Sequence, residues 1–239
     1  MLNTALAAAT FSLLASCPFS QRARFMLAHA VGGGLVLFAL HRLIRGVDLL
    51  DELVFYSKFH MEWHNVVIHV VFVPLIVWSA MVWLAYVELP AKGYTFAHGF
   101  AAVYSVFHIQ CDPVLGSAAA VLWWAMAANA SWLVRSREHA KSSASGKPRW
   151  TYGTCAKLAG AVHILSWYMQ LHPGHKVYEG RKPALLDGMY QSFSVAPLFV
   201  FYEGAFAMGY RPLLQQQVHQ AVAVAHAAEE LNSNGLQWK

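Results

Sequence analysis

Thirteen histidines stand in a chain of 239 residues that carries only 12 Asp and Glu. Two short segments hold those whose spacing suggests chemistry. The first, Tyr56-Ser57-Lys58-Phe59-His60-Met61-Glu62-Trp63-His64-Asn65-Val66-Val67-Ile68-His69, runs directly into a long apolar stretch. His60 and His64 are spaced i, i+4, which puts two imidazoles on one helix face, where they can share a metal ion. His60 and His69 fall about half a turn out of phase at about 100° per residue, so they cannot meet in one unbroken helix. Asn65 offers a restart, because Asn is a favoured N-cap. A helix beginning there would place His69 in its first turns, free to fold back towards His60. The second segment, Gln170-Leu171-His172-Pro173-Gly174-His175-Lys176-Val177-Tyr178-Glu179-Gly180-Arg181-Lys182-Pro183, has Pro173 and Gly174 to end the helix before it. His172 and His175 then lie at a broken helix end, with imidazoles free to turn inward. All-imidazole ligation with carboxylates nearby suits iron, zinc or copper. Cys17, Cys111 and Cys155 have no CxxC spacing, so neither a structural zinc site nor a disulfide framework is expected. No Gly-x-Ser-x-Gly elbow is present, and Gly32-Gly33-Gly34 lacks the partners of a phosphate loop.

These segments must be positioned by apolar elements. Hydrophobic residues make up 57% of the chain and charged ones 12%, about half the usual charge of a soluble domain. That excludes a disordered chain and argues against a small water-soluble enzyme. The net charge of +5 is scattered, which suits anionic lipid headgroups better than nucleic acid. Apolar runs recur at Phe25–Ile44, Val66–Val87, Phe96–Ile109, Val114–Val134, Cys155–Leu171 and Phe193–Tyr210. A span needs about 20 such residues, so the expected fold is all-α, a multi-pass transmembrane helical bundle of about five or six helices. Trp and Tyr near the run ends (Trp63, Tyr86, Trp132, Trp150, Tyr152, Tyr210) fit an interfacial belt. Four runs separate His69 from His172, and an even number of crossings would return both histidine segments to one membrane surface. Ionisable groups in such a chain are costly and usually functional. A lone histidine in an apolar run (His29, His98, His108, His163) reads instead as structural. Residues 1–45 form an N-terminal extension with a candidate first membrane helix. Met1–Ser20 lacks a charged start, so it reads as a leader or interfacial helix rather than a cleaved signal. Residues 46–215 form the membrane-embedded domain and 216–239 a polar tail, with Gln215–Leu231 an amphipathic surface helix. Arg135–Trp150, with its Ser-Ser-Ala-Ser-Gly-Lys-Pro stretch, reads as a flexible loop.

Tyr56, His60, Asn65, His69 and Pro74, followed by Gly174-His175, Glu179, Arg181 and Pro183-Ala184-Leu185, closely resemble the 2-hydroxy-fatty-acid dioxygenases. These are small multi-pass proteins of the endoplasmic-reticulum membrane that act in phytosphingosine degradation. The likeness continues through Asp187, Gln191, Ala196-Pro197, Phe199 and Glu203 to Gly209 and Pro212-Leu213, and is most specific from Gly174 to Phe199. One departure stands out: three residues separate Gln170 from Gly174 where the family spacing has two. The resemblance implies an Fe(II) enzyme that uses molecular oxygen to cleave C1 from a 2-hydroxy fatty acid. His60, His69 and His175 match the family's histidines, and His64 or His172 is the expected fourth ligand. Arg181 is the candidate clamp for the substrate carboxylate. Glu179 is the candidate for orienting a ligand imidazole through its second nitrogen, against a plain Glu179–Arg181 surface pair. The acyl tail would lie between helices. A di-iron desaturase or hydroxylase is the second enzyme class, but HxxxH occurs once and HxxHH never. A non-enzymatic transporter or scaffold would be expected to carry internal repeats, and none is visible.

Overall fold

The computed structural model describes residues 48–142, 152–183 and 187–235. The N-terminal extension and its candidate first helix lie outside the described residues. Regular structure within them is helical: α1 Leu49–Ser57, α2 Trp63–Leu84, α3 Phe96–Cys111, α4 Pro113–Ser142 and α5 Tyr152–Met169. A π-helical run, Gln170–Glu179, continues α5 directly; then come α6 Met189–Ser194, α7 Ala196–Ala207 and α8 Pro212–Gly235.

Carboxylates set the helix starts that matter for the site. Asp48 caps α1, accepting from Leu50 N at 3.0 Å and Asp51 N at 3.3 Å. Glu62, not Asn65, caps α2, accepting from His64 N at 2.7 Å and Asn65 N at 3.2 Å. A carboxylate satisfies the orphan amides as an Asn would and adds a favourable charge against the helix dipole. The helix therefore starts earlier than the Asn65 expectation, and the Asn65 side chain is released for another task.

The chain breaks between α1 and α2 but not at Pro173-Gly174. Instead of ending, α5 widens into i→i+5 bonding, which needs an additional residue per turn. The apolar run Phe193–Tyr210 is split: Pro197 in the first turn of α7 has no N–H to continue a helix. The carbonyls freed at the split are taken by Tyr104, whose hydroxyl donates to Phe193 O, and by His108 Nε2, 3.1 Å from Ser194 O. At 12 residues α7 is too short to span. Arg135–Ser142, expected in a loop, is helical as the end of α4, a stretch of good helix formers; 143–151 lies outside the described residues.

Among the described residues two helices are long and apolar enough to cross a membrane, Trp63–Leu84 and Pro113–Ser136. This is fewer than the expected bundle of spans. Only 33% and 39% of their apolar windows are buried inside the protein, so most of each window faces outward. The core between the helices gathers Leu53, Met81, Leu84, Trp123, Leu198, Phe199 and Tyr202. The tail helix α8 packs on α1, in keeping with the surface helix read from Gln215–Leu231.

Asp112 holds the turn between α3 and α4. It caps α4 through Val114 N (2.9 Å) and Leu115 N (3.1 Å), and accepts from Tyr202 Oη (2.6 Å) and Arg211 Nη1 (3.0 Å). Burial pushes its carboxyl up, but the Tyr202 hydroxyl, the two amides and Arg211 outweigh burial and hold it below the ordinary range. A depressed folded value means the stabilisation is present above the unfolded value of about 4 and is lost as pH falls through the folded value. Asp112→Asn should therefore cost about 1–3 kcal/mol at neutral pH, with the deficit shrinking in acid. Melting curves of both proteins from pH 7 down to pH 3 check this, and equal curves at neutral pH would refute it.

Candidate metal centre

Three elements that are distant in sequence converge on one point. His60 stands in the tight turn after α1, where Phe59 N bonds Tyr56 O and His60 N bonds Ser57 O. His69 lies in the second turn of α2, and His175 in the middle of the π-helical run. Their ligand nitrogens all lie within 4.8 Å of one another. Ring centroids are 4.3 Å apart for His60–His69, 4.9 Å for His60–His175 and 5.0 Å for His69–His175. All three are buried, with exposures of 4%, 3% and 3%. The break at Lys58–Glu62 lets His60 and His69 meet, as their spacing requires.

Backbone carbonyls orient two of the rings. His60 Nδ1 donates to Tyr56 O at 2.8 Å, and His69 Nδ1 to Asn65 O at 2.9 Å. That tautomer leaves the Nε2 lone pair of each free, the arrangement in which a second partner sets a ligand imidazole. Tyr56 also stacks flat on His60, with centroids 4.1 Å apart and 3° between planes. His60 Nε2 and His175 Nδ1 are buried without any hydrogen-bond partner, a costly condition that an electrophile between them would relieve. Burial drives the His60 pKa well below its ordinary value; neighbouring His69 and His175 lower it further, against the Tyr56 carbonyl. Burial lowers His175 to about 4. Both rings are neutral at physiological pH, the form that binds metals.

Glu179 and Asn65 bracket this arrangement. Glu179 Oε1 accepts from Met61 N, and its Oε2 from Glu62 N and Asn65 Nδ2, each at 3.0 Å. Asn65 Nδ2 also donates to Phe59 O at 3.2 Å. A Cβ on Gly174 would lie 2.5 Å from Asn65 Oδ1, so only glycine allows the π-helix to approach α2 this closely. Glu179 thus acts on the turn that carries His60, and no hydrogen bond joins it to an imidazole of the trio.

Of the five histidines singled out in the sequence, these three come together and two do not. His64 sits five residues before His69, on another side of α2. Its Nδ1 is 2.8 Å from Glu62 Oε1, and its ring stacks on Tyr178 at 4.7 Å. His172 is exposed and stacks on Tyr168 at 5.5 Å. Arg181 is also drawn away: its Nη1 lies 2.9 Å from His226 Nε2 and 4.0 Å from Glu229 Oε2 on α8. It pairs there rather than with Glu179.

The trio opens on a cavity of about 380 Å³ that runs along α2 as far as Trp83 and along α5 as far as His163. From His69 to Trp83 this is a path of about 20 Å along the helix axis. Its walls are apolar apart from a few uncharged polar groups, and its described lining contains no Asp, Glu, Lys or Arg. His163, one of the structural histidines, is satisfied there by Ser79 Oγ (2.8 Å) and Trp167 Nε1 (3.0 Å). Gln170 and Ser192 also line it. Sequence reasoning missed Ser192, since a serine among apolar residues carries no spacing signal. Gln170 was visible beside the Gly-His pair but had no assigned task.

A family model described as 2-hydroxy-palmitic acid dioxygenase Mpo1-like matches residues 47–208. The 2-hydroxy-palmitic acid dioxygenase MPO1 of Saccharomyces cerevisiae is 28% identical over 169 residues, covering 71% of this chain and 86% of the yeast protein. No solved structure gives a significant match. With the larger part of its length inside the family match, including all three convergent histidines, the chain belongs to the Mpo1-like 2-hydroxy-palmitic acid dioxygenase family.

Proposed function

We propose that this protein is an Fe(II)-dependent dioxygenase of the endoplasmic-reticulum membrane that removes C1 from 2-hydroxy fatty acids in phytosphingosine breakdown. The observation that carries the reading is the buried all-imidazole trio at one end of an apolar cavity. The name of the yeast relative supplies the substrate class. The net reaction, RCH(OH)COOH + O2 → RCOOH + CO2 + H2O, breaks the C1–C2 bond, oxidises the acid and reduces dioxygen.

The donor set fits a divalent iron: three neutral imidazoles, two of them with a buried nitrogen lacking any partner. Zinc offers the same geometry without redox chemistry. Iron bound there would supply the one-electron chemistry by which dioxygen reacts with a stable acid. His60, His69 and His175 would hold it, with Tyr56 O and Asn65 O fixing two of the rings. Because the ligands are neutral and the described cavity wall has no acid, a bound dication is left without compensating charge there. An anionic chelator satisfies that demand, and a 2-hydroxy acid presents a carboxylate and a hydroxyl in chelating positions. The apolar walls receive the acyl tail and keep bulk water from the reacting end. The outward-facing apolar surface of α2 and α4 supports delivery of such a substrate from a bilayer.

Purified protein loaded with Fe(II) and incubated aerobically with 2-hydroxypalmitate should yield the C15 acid. Product should vanish under anaerobic conditions or after chelation, and return when Fe(II) but not Zn(II) is restored. Full iron loading without product would refute the reading.

A further inference from the structure

Two polar groups on the wall of the cavity that holds the trio have no hydrogen-bond partner in the protein. Gln170 is 5% exposed and its Nε2 is buried with no partner; Ser192 Oγ is likewise buried and unpartnered. Both line the same cavity as His60, His69 and His175. Gln170 lies five residues before His175, one π-helical turn away, so the two stack on one side of the run. Ser192 comes from α6, the element fixed by the Tyr104 bond to the next residue's carbonyl. No cation lines the described cavity wall, and Arg181 is held outside it on α8.

We propose that Gln170 and Ser192, rather than Arg181, bind the substrate's carboxylate, a step that rests on the functional reading above. A carboxylate has two oxygens with about four lone-pair sites. One oxygen can face the trio while the other accepts from the Gln170 amide and the Ser192 hydroxyl. Buried donors without acceptors are costly, and hydrogen bonds to a charged acceptor are the strong ones. The pair therefore favours a free acid over its ester, and neutral donors do this without placing a cation beside the metal.

The test uses the full chain in phosphatidylcholine nanodiscs. Trp83 and Trp167 line the cavity, so quenching of tryptophan fluorescence reports binding of 2-hydroxypalmitate and of its methyl ester. Gln170→Leu and Ser192→Ala should each weaken binding of the acid about tenfold or more, while ester binding stays within about twofold. Gln170→Glu keeps the shape but opposes one carboxylate with another, so it should bind the acid no better than Gln170→Leu. Iron content should be unchanged in all three. Acid binding within about twofold of wild type in Gln170→Leu and Ser192→Ala would overturn the proposal. So would equal losses for acid and ester, or wild-type affinity in Gln170→Glu. A wild-type chain that does not distinguish 2-hydroxypalmitate from palmitate would overturn the functional reading itself. Unaffected variants beside a discriminating wild type overturn the anchor alone.

Discussion

His175→Ala should leave the purified protein without iron and reduce C15 acid formation by more than about 100-fold. Loss of an outer partner of a metal ligand already costs about 10–100-fold in affinity or activity, and His175 would be one of three ligands clustered among the described residues. The apo protein should tolerate the change, because His175 Nδ1 is buried without a hydrogen bond to lose. His60→Ala should match it in iron and turnover but also destabilise the fold, since it removes the Tyr56 stack and the bond to Tyr56 O. His64→Ala and His172→Ala are the controls. Their rings rest on Tyr178 and Tyr168, away from the trio, so both variants should keep their iron. Metal content by mass spectrometry, read beside product formation, separates the cases. Full iron and turnover in His175→Ala would remove it from the site, and iron loss in His64→Ala or His172→Ala would restore a fourth histidine ligand.

The contrast among these histidines marks what sequence could and could not convey. Phase arithmetic required a break between His60 and His69, and the turn at Lys58–Glu62 provides one. The second segment was expected to meet the first if the runs between them crossed a membrane an even number of times; His175 does lie against His60, with two helices among the described residues long and apolar enough to cross. Selection within each cluster was not legible. The i, i+4 spacing of His60 and His64 counts only inside one helix, and the break that brings in His69 removes His64. His172 and His175 were read at a helix end, but the segment stays helical with a wider turn, which points them to different sides. Local rules say that Pro-Gly ends a helix; the close packing of Gly174 on Asn65 and the hold of Glu179 are tertiary contacts that override them. Likewise Asn65 is a good cap by type, yet Glu62 precedes it and takes the amides. The apolar runs located the helices well but not their ends, because Pro197 divides one run and α4 continues through basic residues.

Glu179→Ala should be the most damaging substitution outside the trio. Its carboxylate is the acceptor for Met61 N, Glu62 N and Asn65 Nδ2, and so ties the π-helical run to the turn carrying His60. Removing it strands those donors. Met61 is exposed and water can replace its bond, so the cost is set mainly by the half-buried remainder, about 2–3 kcal/mol. A comparable effect falls on the metal: with the bracket gone, His175 and His60 are held together less firmly, and iron affinity should fall about 10–100-fold. Glu179→Gln keeps one acceptor oxygen and should fall between wild type and Glu179→Ala in both melting temperature and affinity. Arg181→Ala, two residues along, should behave differently. Its ion-pair partner on α8, Glu229, is exposed, a kind of pair worth less than about 1 kcal/mol, and iron affinity and KM for 2-hydroxypalmitate should stay near wild type. A rise in KM for Arg181→Ala would mean that Arg181 leaves α8 to hold the carboxylate. Unchanged melting and iron affinity in Glu179→Ala would mean that the trio is assembled without the bracket.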